Sequence, residues 1–236
     1  MTQTIHATPA LPLYVQIAEL LIRDIAAGRL IDGERLPPER ALALTLGTSV
    51  TTLRKSLAHM ADLGVLERRH GSGNYIKVTN TRALIYGMFR LELPQGGGLP
   101  RAKILSVNTI DKPDDLPEFG PHQMATRIRR QRYLDDTLVA LEEIWLDQSA
   151  GTVQSEDLID SLYAYYRVHL GFWITRAQDR VGVATLPDWC PQDHCQVPGD
   201  ITGYVERFSW ANAPRPIEFS RTWFDPSRAL YTQRLI

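Results

Sequence analysis

The segment GTSVTTLRKSL, residues 47–57, restricts the fold of this chain more than any other part of the sequence. A glycine turn and Ser49, a residue type that caps helix N-termini, precede apolar residues at helical spacing. The pattern predicts an amphipathic helix that buries Leu53, Leu57 and Met60. The opposite face then carries two small residues and two cations, namely Thr51, Ala58, Arg54 and Lys55.

Two more helices are predicted before this one. Pro12 suits a first helical turn, and Gly28 suits a helix stop. Between them lie five apolar positions with helical spacing, at Leu13, Ile17, Leu20, Leu21 and Ile25. The second helix opens after a pair of prolines, the latter being Pro38, and is expected to bury Leu42 and Leu46.

A basic hairpin is predicted directly after the third helix. Two β-prone runs, 65–69 and 74–78, flank the glycine-rich turn HGSG, with Arg68, Arg69 and His70 at or near the tip. A basic surface helix alone is usually just a solvated face. Three helices and a basic hairpin in this order form a winged helix-turn-helix, and the small, cationic face of the third helix fits the DNA major groove.

Residues 12–76 resemble the DNA-binding domain of the GntR family of bacterial transcription regulators, through the motifs RLPPERALA, TTLRKSL and LGVLERRHGSGNYI. The resemblance implies that the third helix reads bases and that the hairpin, or wing, reaches the minor groove. It also implies the following DNA contacts: Arg40 at the start of the second helix, Thr51, Thr52 and Arg54 on the third, and Arg69, His70 and Gly71 in the wing.

One position departs from that family pattern. Members often have an arginine directly after the serine of the turn, where this chain has Val50. The change removes one possible bidentate contact to guanine, worth about 1–3 kcal/mol of discrimination, although a valine can touch a thymine methyl. We therefore expect this protein not to read the family's commonest half-site in the usual way.

The domain boundary is predicted from composition. We assign residues 10–78 to the winged helix-turn-helix domain, 79–100 to a linker and 101–236 to a second domain. The linker contains a run of three glycines followed by Pro100, which marks a break. Its apolar stretch ALIYGMFRLEL fits either a strand or a brace between the domains.

The second domain contains two predicted hairpins with charges in mid-strand. In the first, TRIRRQRYL and TLVALEEIWL flank an aspartate turn, so that Leu134 is expected opposite Leu138 and Arg130 opposite Glu142. With Arg132 on the same face, two arginines share one glutamate. The arrangement fits a buried ion pair that holds the register, a solvent-facing surface that contains some leucines, or a site for an anionic ligand, because planar guanidinium groups suit carboxylate and phosphate.

Two further features lie downstream. The segment DSLYAYYRVHLG predicts a short helix whose N-terminus, with Ser161, either binds an anion or is an ordinary cap with Tyr163 packed inward. The second hairpin, YVERFSW and PIEFSRTWF, is expected to place Glu218 in mid-strand. There Glu218 either accepts hydrogen bonds from a ligand or is a surface charge.

Residues 100–236 are similar to the UTRA effector-binding domain of HutC-like members of the GntR family, most clearly in IRRQRYLDDTLVALEEIWL, DSLYAYY and RPIEFSRTWF. The resemblance implies an α+β fold like chorismate lyase, an effector pocket against an antiparallel sheet, and dimerisation. It differs at Phe224, where many members have tyrosine. The implied effector-binding residues are Arg130, Arg132, Glu142, Ser161, Tyr163 and Glu218.

Composition excludes several classes of protein. Residues 1–78 contain 9 Lys/Arg and 7 Asp/Glu, whereas residues 79–236 contain 17 and 20, so DNA binding depends on a local basic patch.

No apolar run is long enough to span a membrane and no secretory signal is recognisable, so a cytoplasmic protein is expected. The cluster WCPQDHC, with Cys190, His194 and Cys195, lacks the paired spacing of zinc sites. Two thiols without a metal are the expected state.

These features favour a ligand-responsive transcription regulator, most simply a repressor. It is expected to bind palindromic operator DNA as a homodimer and to be modulated by a small anionic metabolite. The alternative is a small-molecule enzyme that uses the lyase-like fold of the second domain. We expect no catalytic residues, cofactor or metal, because the sequence has no nucleophile elbow, zinc motif or phosphate loop.

Overall fold

The computed structural model describes residues 12–26, 30–77, 88–96, 98, 100–158, 161–194 and 196–233. Their contacts group them into two units, each considered by itself: one holds the described residues between 12 and 98 with 231–233, the other those from 100 to 230. Residues 79–87 lie outside the description, as does Gly28, so the predicted linker and helix stop stay predictions. No helix in the described ranges is long and apolar enough to cross a membrane.

The first unit contains three helices and a hairpin. The helices are α1 (Leu13–Ala26), α2 (Glu39–Thr45) and α3 (Val50–Asp62), and the hairpin pairs β1 (Leu66–Arg69) with β2 (Gly73–Ile76). All four lie where the sequence predicts them, with ends that differ by a few residues. This order is that of a winged helix-turn-helix.

A single apolar cluster holds this unit together. It combines buried residues of all three helices with Val65, Leu66 and Ile76 of the hairpin segment. Leu53, Leu57 and Met60 of α3 are fully buried, as their spacing predicts. The outer edge of β2 is also paired, because the amide of Leu36 donates to Asn74 and the amide of Ile76 donates to Glu34.

The second unit is built on one six-stranded antiparallel sheet. Its strands are β4 (Pro100–Asp111), β5 (Met124–Leu134), β6 (Thr137–Asp147), β7 (Arg176–Thr185), β8 (Ile201–Trp210) and β9 (Glu218–Phe224), in the order β4-β5-β6-β9-β8-β7. Helix α4 (Leu162–His169) and two 3₁₀ turns, Gln148–Ala150 and Ser155–Asp157, lie between β6 and β7. Apart from this sheet, the short strand β3 (Leu91–Glu92) of the first unit pairs with β10 (Leu230–Tyr231). The fold is α+β, as predicted.

The register divides the sheet into two chemically different faces. Arg130 of β5 lies opposite Glu142 of β6, and Arg207 of β8 lies opposite Asp179 of β7. These residues share a face with Glu218, and we call it the polar face. On the other face, the aromatic side chains of β6, β8 and β9 pack against Phe119 and the loop that follows β7.

Two details of the hairpin predictions are wrong. Leu134 pairs with Thr137, not with Leu138, because the turn is Asp135–Asp136 alone and a bulge after Arg132 shifts the register by one residue. Asp135 takes a positive φ of 52°, which aspartate tolerates and which allows so short a turn. Glu218 is the first residue of β9 rather than a mid-strand residue.

Candidate functional site

Helix α3 has the exposed face that the sequence predicts. Ser49 caps it by accepting a hydrogen bond from the amide of Thr52 at 3.1 Å, and the two hydroxyls lie 2.8 Å apart. Thr51, Arg54 and Lys55 are exposed, whereas Ala58 is half-buried. The helix therefore presents a hydroxyl and two cations to a partner, while the hydroxyl of Thr52 is engaged in the cap.

Arg54 is held by both elements that flank α3. Its Nε donates to Oε2 of Glu39, the first residue of α2, at 2.6 Å. The side chains are 66% and 30% exposed. From the wing, Arg68 donates to the main-chain oxygen of Arg54 at 3.1 Å. The start of α2, the outer face of α3 and the wing are thus contiguous.

The wing presents its predicted residues to solvent. Arg69 donates to Glu67 at 3.1 Å, which lowers the pKa of that carboxyl, and its guanidinium lies 4.2 Å from the ring centre of Tyr75. His70 and Gly71 are exposed at the tip. Gly71 has a φ of +70°, which L side chains rarely adopt, so this tip requires glycine.

Two further positions in this unit differ in environment. Arg40 is exposed at the start of α2, where the resemblance expects a DNA contact. Val50 is half-buried and packs against the apolar cluster of the three helices. The valine that replaces the family's arginine therefore has a structural role, because it extends the core at the first turn of α3.

The polar face contains the predicted arginine and glutamate cluster. Arg130 Nε donates to Glu142 Oε2 at 2.5 Å, and Arg132 Nε lies 3.7 Å from the same oxygen. All three side chains are at most 9% exposed. Burial alone raises the pKa of Glu142, but the two guanidinium groups outweigh it and lower the pKa. One ionised carboxylate thus faces two buried guanidinium groups.

Glu218 lies at the centre of a buried hydrogen-bond network. Its Oε2 accepts from Tyr166 at 2.6 Å, and its Oε1 accepts from Ser209 at 2.8 Å and from Tyr163 at 3.1 Å. Burial raises the pKa of Glu218 despite these donors. Both carboxylate oxygens are engaged by the protein, so Glu218 holds α4 against the sheet. A direct contact between Glu218 and a ligand stays a prediction.

The N-terminus of α4 is capped by Ser161. Its hydroxyl accepts from the amide of Ala164 at 3.3 Å, the ordinary capping arrangement. Tyr163 and Tyr166 both point from α4 to the polar face, where burial raises the pKa of each phenol. The structure thus brings Tyr163, Glu218, Arg130 and Glu142 to one face of the sheet, with Ser161 at the adjacent helix end.

Sequence reasoning missed part of this cluster. Arg207 and Asp179 form a bidentate pair with two bonds of 2.6 Å, and the Arg207 charge acts on the buried phenol of Tyr163. Tyr166 follows Tyr163 by three residues and so lies on the same helix face, and this spacing could have predicted its place in the cluster. For Arg207, the available signal is strand alternation within YVERFSW, because Arg207 and Ser209 lie two residues apart and point to the same face of the sheet.

A separate cavity of about 550 Å³ lies beside the loop between β4 and β5. It is lined by residues 112–114 and 116–123 with Arg215 and Pro216, and by none of the predicted effector residues. Beneath the loop, the fully buried Asp147 accepts from Lys112 Nζ at 2.6 Å. A Cβ at Gly120 would lie 2.1 Å from the Asp147 carboxylate, so only glycine allows this approach.

Cys190 packs against the other face of the sheet. The buried Cys190 thiol lies 3.7 Å from the main-chain oxygens of Pro191 and Gln196. His194 is also buried, and burial lowers its pKa. Cys195 lies outside the described residues. In the part of the chain that the structure describes, no group of three or more potential metal ligands gathers.

Comparison with known families identifies both regions. Residues 13–76 match the bacterial regulatory proteins of the gntR family, and residues 95–229 match the UTRA domain. Together these matches cover most of the chain, in the order in which the two units occur.

Named relatives agree with this. The chain is 48% identical to the HTH-type transcriptional regulator SmoD of Agrobacterium fabrum over 231 residues, which cover 98% of this chain and 99% of the relative. It is 29% identical to the HTH-type transcriptional regulator GgaR of Escherichia coli K12, covering 93% and 90%. It is also 31% identical, over 57% and 58%, to the mannosyl-D-glycerate transport/metabolism system repressor MngR of the same strain.

Solved structures share the fold. A possible transcriptional regulator, YydK of Bacillus subtilis, is 19% identical with a TM-score of 0.53 and covers 96% of this chain and all of its own. The ligand-binding domain of a GntR-family regulator from Bordetella bronchiseptica is 20% identical with a TM-score of 0.55, covering 62% and 96%.

Proposed function

The chain belongs to the GntR family of bacterial transcription regulators and carries a UTRA domain, and from this premise we propose that it is a homodimeric repressor released from its operator by a small anionic metabolite. The metabolite binds on the polar face of the sheet. The observation that carries the proposal is the convergence of two buried guanidinium groups, those of Arg130 and Arg132, on the one carboxylate of Glu142.

The DNA-binding part of the proposal assigns roles to the exposed residues of the first unit. Thr51 and Arg54 read base edges in the major groove, and Arg40 contacts the backbone or bases beside them. Lys55 holds a phosphate, because it is an exposed cation next to the reading face. The wing residues Arg69, His70 and Gly71 enter the minor groove, where Arg69 keeps its contact to Tyr75.

The effector-binding part follows from charge and burial. Two guanidinium groups at most 9% exposed, which converge on one ionised carboxylate, offer planar N–H donors of the geometry that suits a carboxylate or phosphate. Tyr163 and Ser161 on α4 supply hydroxyl groups at the edge of this site, and Glu218 fixes the helix that carries them. A sugar acid or a sugar phosphate satisfies both the charge and the hydroxyls.

The names of the relatives support the same reading. SmoD and GgaR are named as transcriptional regulators, and MngR as a repressor of a mannosyl-D-glycerate system. Mannosyl-D-glycerate is a sugar linked to a carboxylate, the chemistry that the arginine cluster favours. These names also favour a regulator over an enzyme that uses the same lyase-like fold.

Dimerisation connects the two parts. Two copies place two α3 helices on a palindromic site with a fixed half-site spacing. An effector shifts the equilibrium only through a difference in its affinity for the DNA-bound and released arrangements.

Selection from a random DNA pool with the purified full chain at physiological salt tests the DNA-binding part. We expect one palindromic motif with a definite spacing. Recovery of no motif, with weak binding that depends steeply on salt, would contradict it.

The effector part is tested by release of this selected DNA in a screen of sugar acids and sugar phosphates. Arg130→Ala is expected to bind DNA as the unmodified protein does and to lose the response. Arg54→Ala, the converse variant, is expected to lose operator preference. A normal response in Arg130→Ala places the effector elsewhere.

A further inference from the structure

The contact between Glu39 and Arg54 sets an acidic side chain on the surface that faces DNA. Glu39 Oε2 accepts from Arg54 Nε at 2.6 Å across 15 residues of sequence, and so connects the two helices of the helix-turn-helix. A carboxylate at such a surface opposes binding, because it repels the phosphates of any DNA sequence. We therefore expect a benefit to DNA recognition that offsets this repulsion.

The geometry of the pair leaves the reading end of Arg54 available. A guanidinium group has five N–H donors in a fixed planar fork. Glu39 engages Nε, on the side of the fork, whereas a bidentate contact to guanine uses two parallel N–H groups. The terminal nitrogens of Arg54 make no hydrogen bond to the residues that the structure describes. The end of the fork therefore points outward while its side is held.

The main chain beneath this arginine is held as well. Arg68 of the wing donates to the carbonyl oxygen of Arg54, at 3.1 Å. Glu39 is the more covered member of the pair, with 30% of its side chain exposed against 66% for Arg54. The glutamate is thus the fixed partner, and the arginine, a long side chain with many rotamers, is the one that is oriented.

We propose that Glu39 is a specificity-determining positioning residue, which orients Arg54 for bidentate reading of one base pair and reduces affinity for unrelated DNA. The inference rests on the proposed role of Arg54 in base reading. Glu39 itself touches no base. It limits the rotamers of Arg54, so that less conformational entropy is lost when the correct base pair is bound.

A positioning role of Glu39 predicts a change in base discrimination that neither a purely structural nor a purely electrostatic role predicts. Loss of the carboxylate charge raises affinity for all sequences together, because one phosphate repulsion disappears. Loss of the positioning contact lowers discrimination at a single base pair. Glu39→Gln removes the charge and keeps only a neutral acceptor, which forms a weaker hydrogen bond with Arg54. It is therefore expected to bind unrelated DNA more tightly and to read one position less strictly.

The experiment repeats the random-pool selection with four full-length proteins: the unmodified chain, Glu39→Gln, Arg54→Ala and the double variant. Anisotropy titrations then use the selected duplex and its single-base-pair substitutions. We expect Glu39→Gln to reduce discrimination about three- to tenfold at the position that Arg54→Ala affects, a part of the roughly ten- to hundredfold that a bidentate contact carries. The double variant is expected to discriminate no worse than Arg54→Ala, since Glu39 acts through Arg54.

Asp62→Asn is the matched control. Asp62 is exposed at the C-terminal end of α3, and its substitution makes the same change in charge without touching Arg54. It is expected to tighten binding to unrelated DNA as Glu39→Gln does, and to keep the motif unchanged. Circular dichroism at 222 nm verifies that each variant keeps its helices.

Two results overturn the inference, and they are distinguishable. If Glu39→Gln and Asp62→Asn both change affinity uniformly and keep the same motif, Glu39 contributes only its charge. If Arg54→Ala itself keeps full discrimination at every position, the base-reading role of Arg54 fails, and the premise of the inference fails with it.

Discussion

The two units of this chain use the same pair of residue types in opposite environments. In the DNA-binding unit, Arg54 and Glu39 meet at a surface where their side chains are 66% and 30% exposed. In the sheet, Arg130 and Glu142 meet with 9% of each side chain exposed. The bond lengths, 2.6 and 2.5 Å, are nearly the same. Distance therefore does not distinguish them, whereas burial does.

The difference concerns what each pair is able to do. An exposed pair is in contact with water and salt and contributes little to stability. A buried pair has lost its hydration, so removal of one partner leaves an uncompensated charge in an apolar environment. The first suits a surface that binds and releases DNA. The second suits a fixed position within the sheet.

The largest expected effect is that of Glu142→Gln. This variant removes the carboxylate that the buried Arg130 and Arg132 share, and we expect it to lower the free energy of unfolding by about 3–5 kcal/mol. Urea unfolding followed by tryptophan fluorescence measures it, because all five tryptophans lie between residues 100 and 230.

A double variant sharpens this test. Glu142→Gln combined with Arg130→Met removes opposite charges together and is expected to recover much of the lost stability, because one uncompensated charge disappears. A loss under about 1 kcal/mol in Glu142→Gln alone would mean that water reaches the cluster, and the contrast between the two pairs would fail.

How much of the structure the sequence predicts depends on whether the signal is local. Helical spacing and the Ser49 cap predict α3, and strand alternation predicts the pairing of Arg130 with Glu142, because both signals come from neighbouring residues. Strand alternation did not predict the Leu134–Thr137 pairing, since the bulge after Arg132 depends on how a two-residue turn closes. The pair of Arg207 and Asp179 joins β8 to β7, and the order of those strands in the sheet is set by long-range packing that no local pattern shows.

The second expected effect concerns acid stability at Asp147. Burial alone raises the pKa of this carboxyl, but hydrogen bonds from Lys112, Ser149 and His122 outweigh it and lower the pKa to about 2. Because the pKa of Asp147 is lower in the folded state than its unfolded value of about 3.9, the ionised carboxylate stabilises the fold fully above about pH 4. This stabilisation is lost as the pH falls through about 2, and it amounts to roughly 2 kcal/mol.

Urea unfolding of the unmodified chain and of Asp147→Asn between pH 6 and pH 2, followed by fluorescence, measures this contribution. The difference in stability between the two proteins is expected to shrink as the pH falls. The control is Asp136→Asn, an aspartate whose side chain is 96% exposed in its pair with Arg101. A difference for Asp147→Asn that does not change with pH would contradict the assignment.

The third effect compares the helix caps of the two units. Ser49 and Ser161 each accept one hydrogen bond from an orphan amide of their helix, at 3.1 and 3.3 Å. Ser49→Ala and Ser161→Ala are each expected to cost about 1 kcal/mol. Circular dichroism at 222 nm reports Ser49→Ala, because α1, α2 and α3 contain most of the helical residues that the structure describes, and fluorescence reports Ser161→Ala. A negligible cost for one alone would show that its cap is replaced by water.

The smallest expected effect on stability is that of Glu39→Gln, the counterpart of Glu142→Gln. Its pair with Arg54 is exposed, so the expected cost is about 0.2–1 kcal/mol. Part of that cost is the loss of an acidic residue in the first turn of α2, where the helix dipole favours a negative charge. Circular dichroism in urea measures it, and 0.5 M salt is expected to reduce it further, since exposed charges are screened. A cost as large as that of Glu142→Gln would mean that Glu39 supports the fold rather than the orientation of Arg54, and changes in DNA preference would then follow from a disturbed helix-turn-helix.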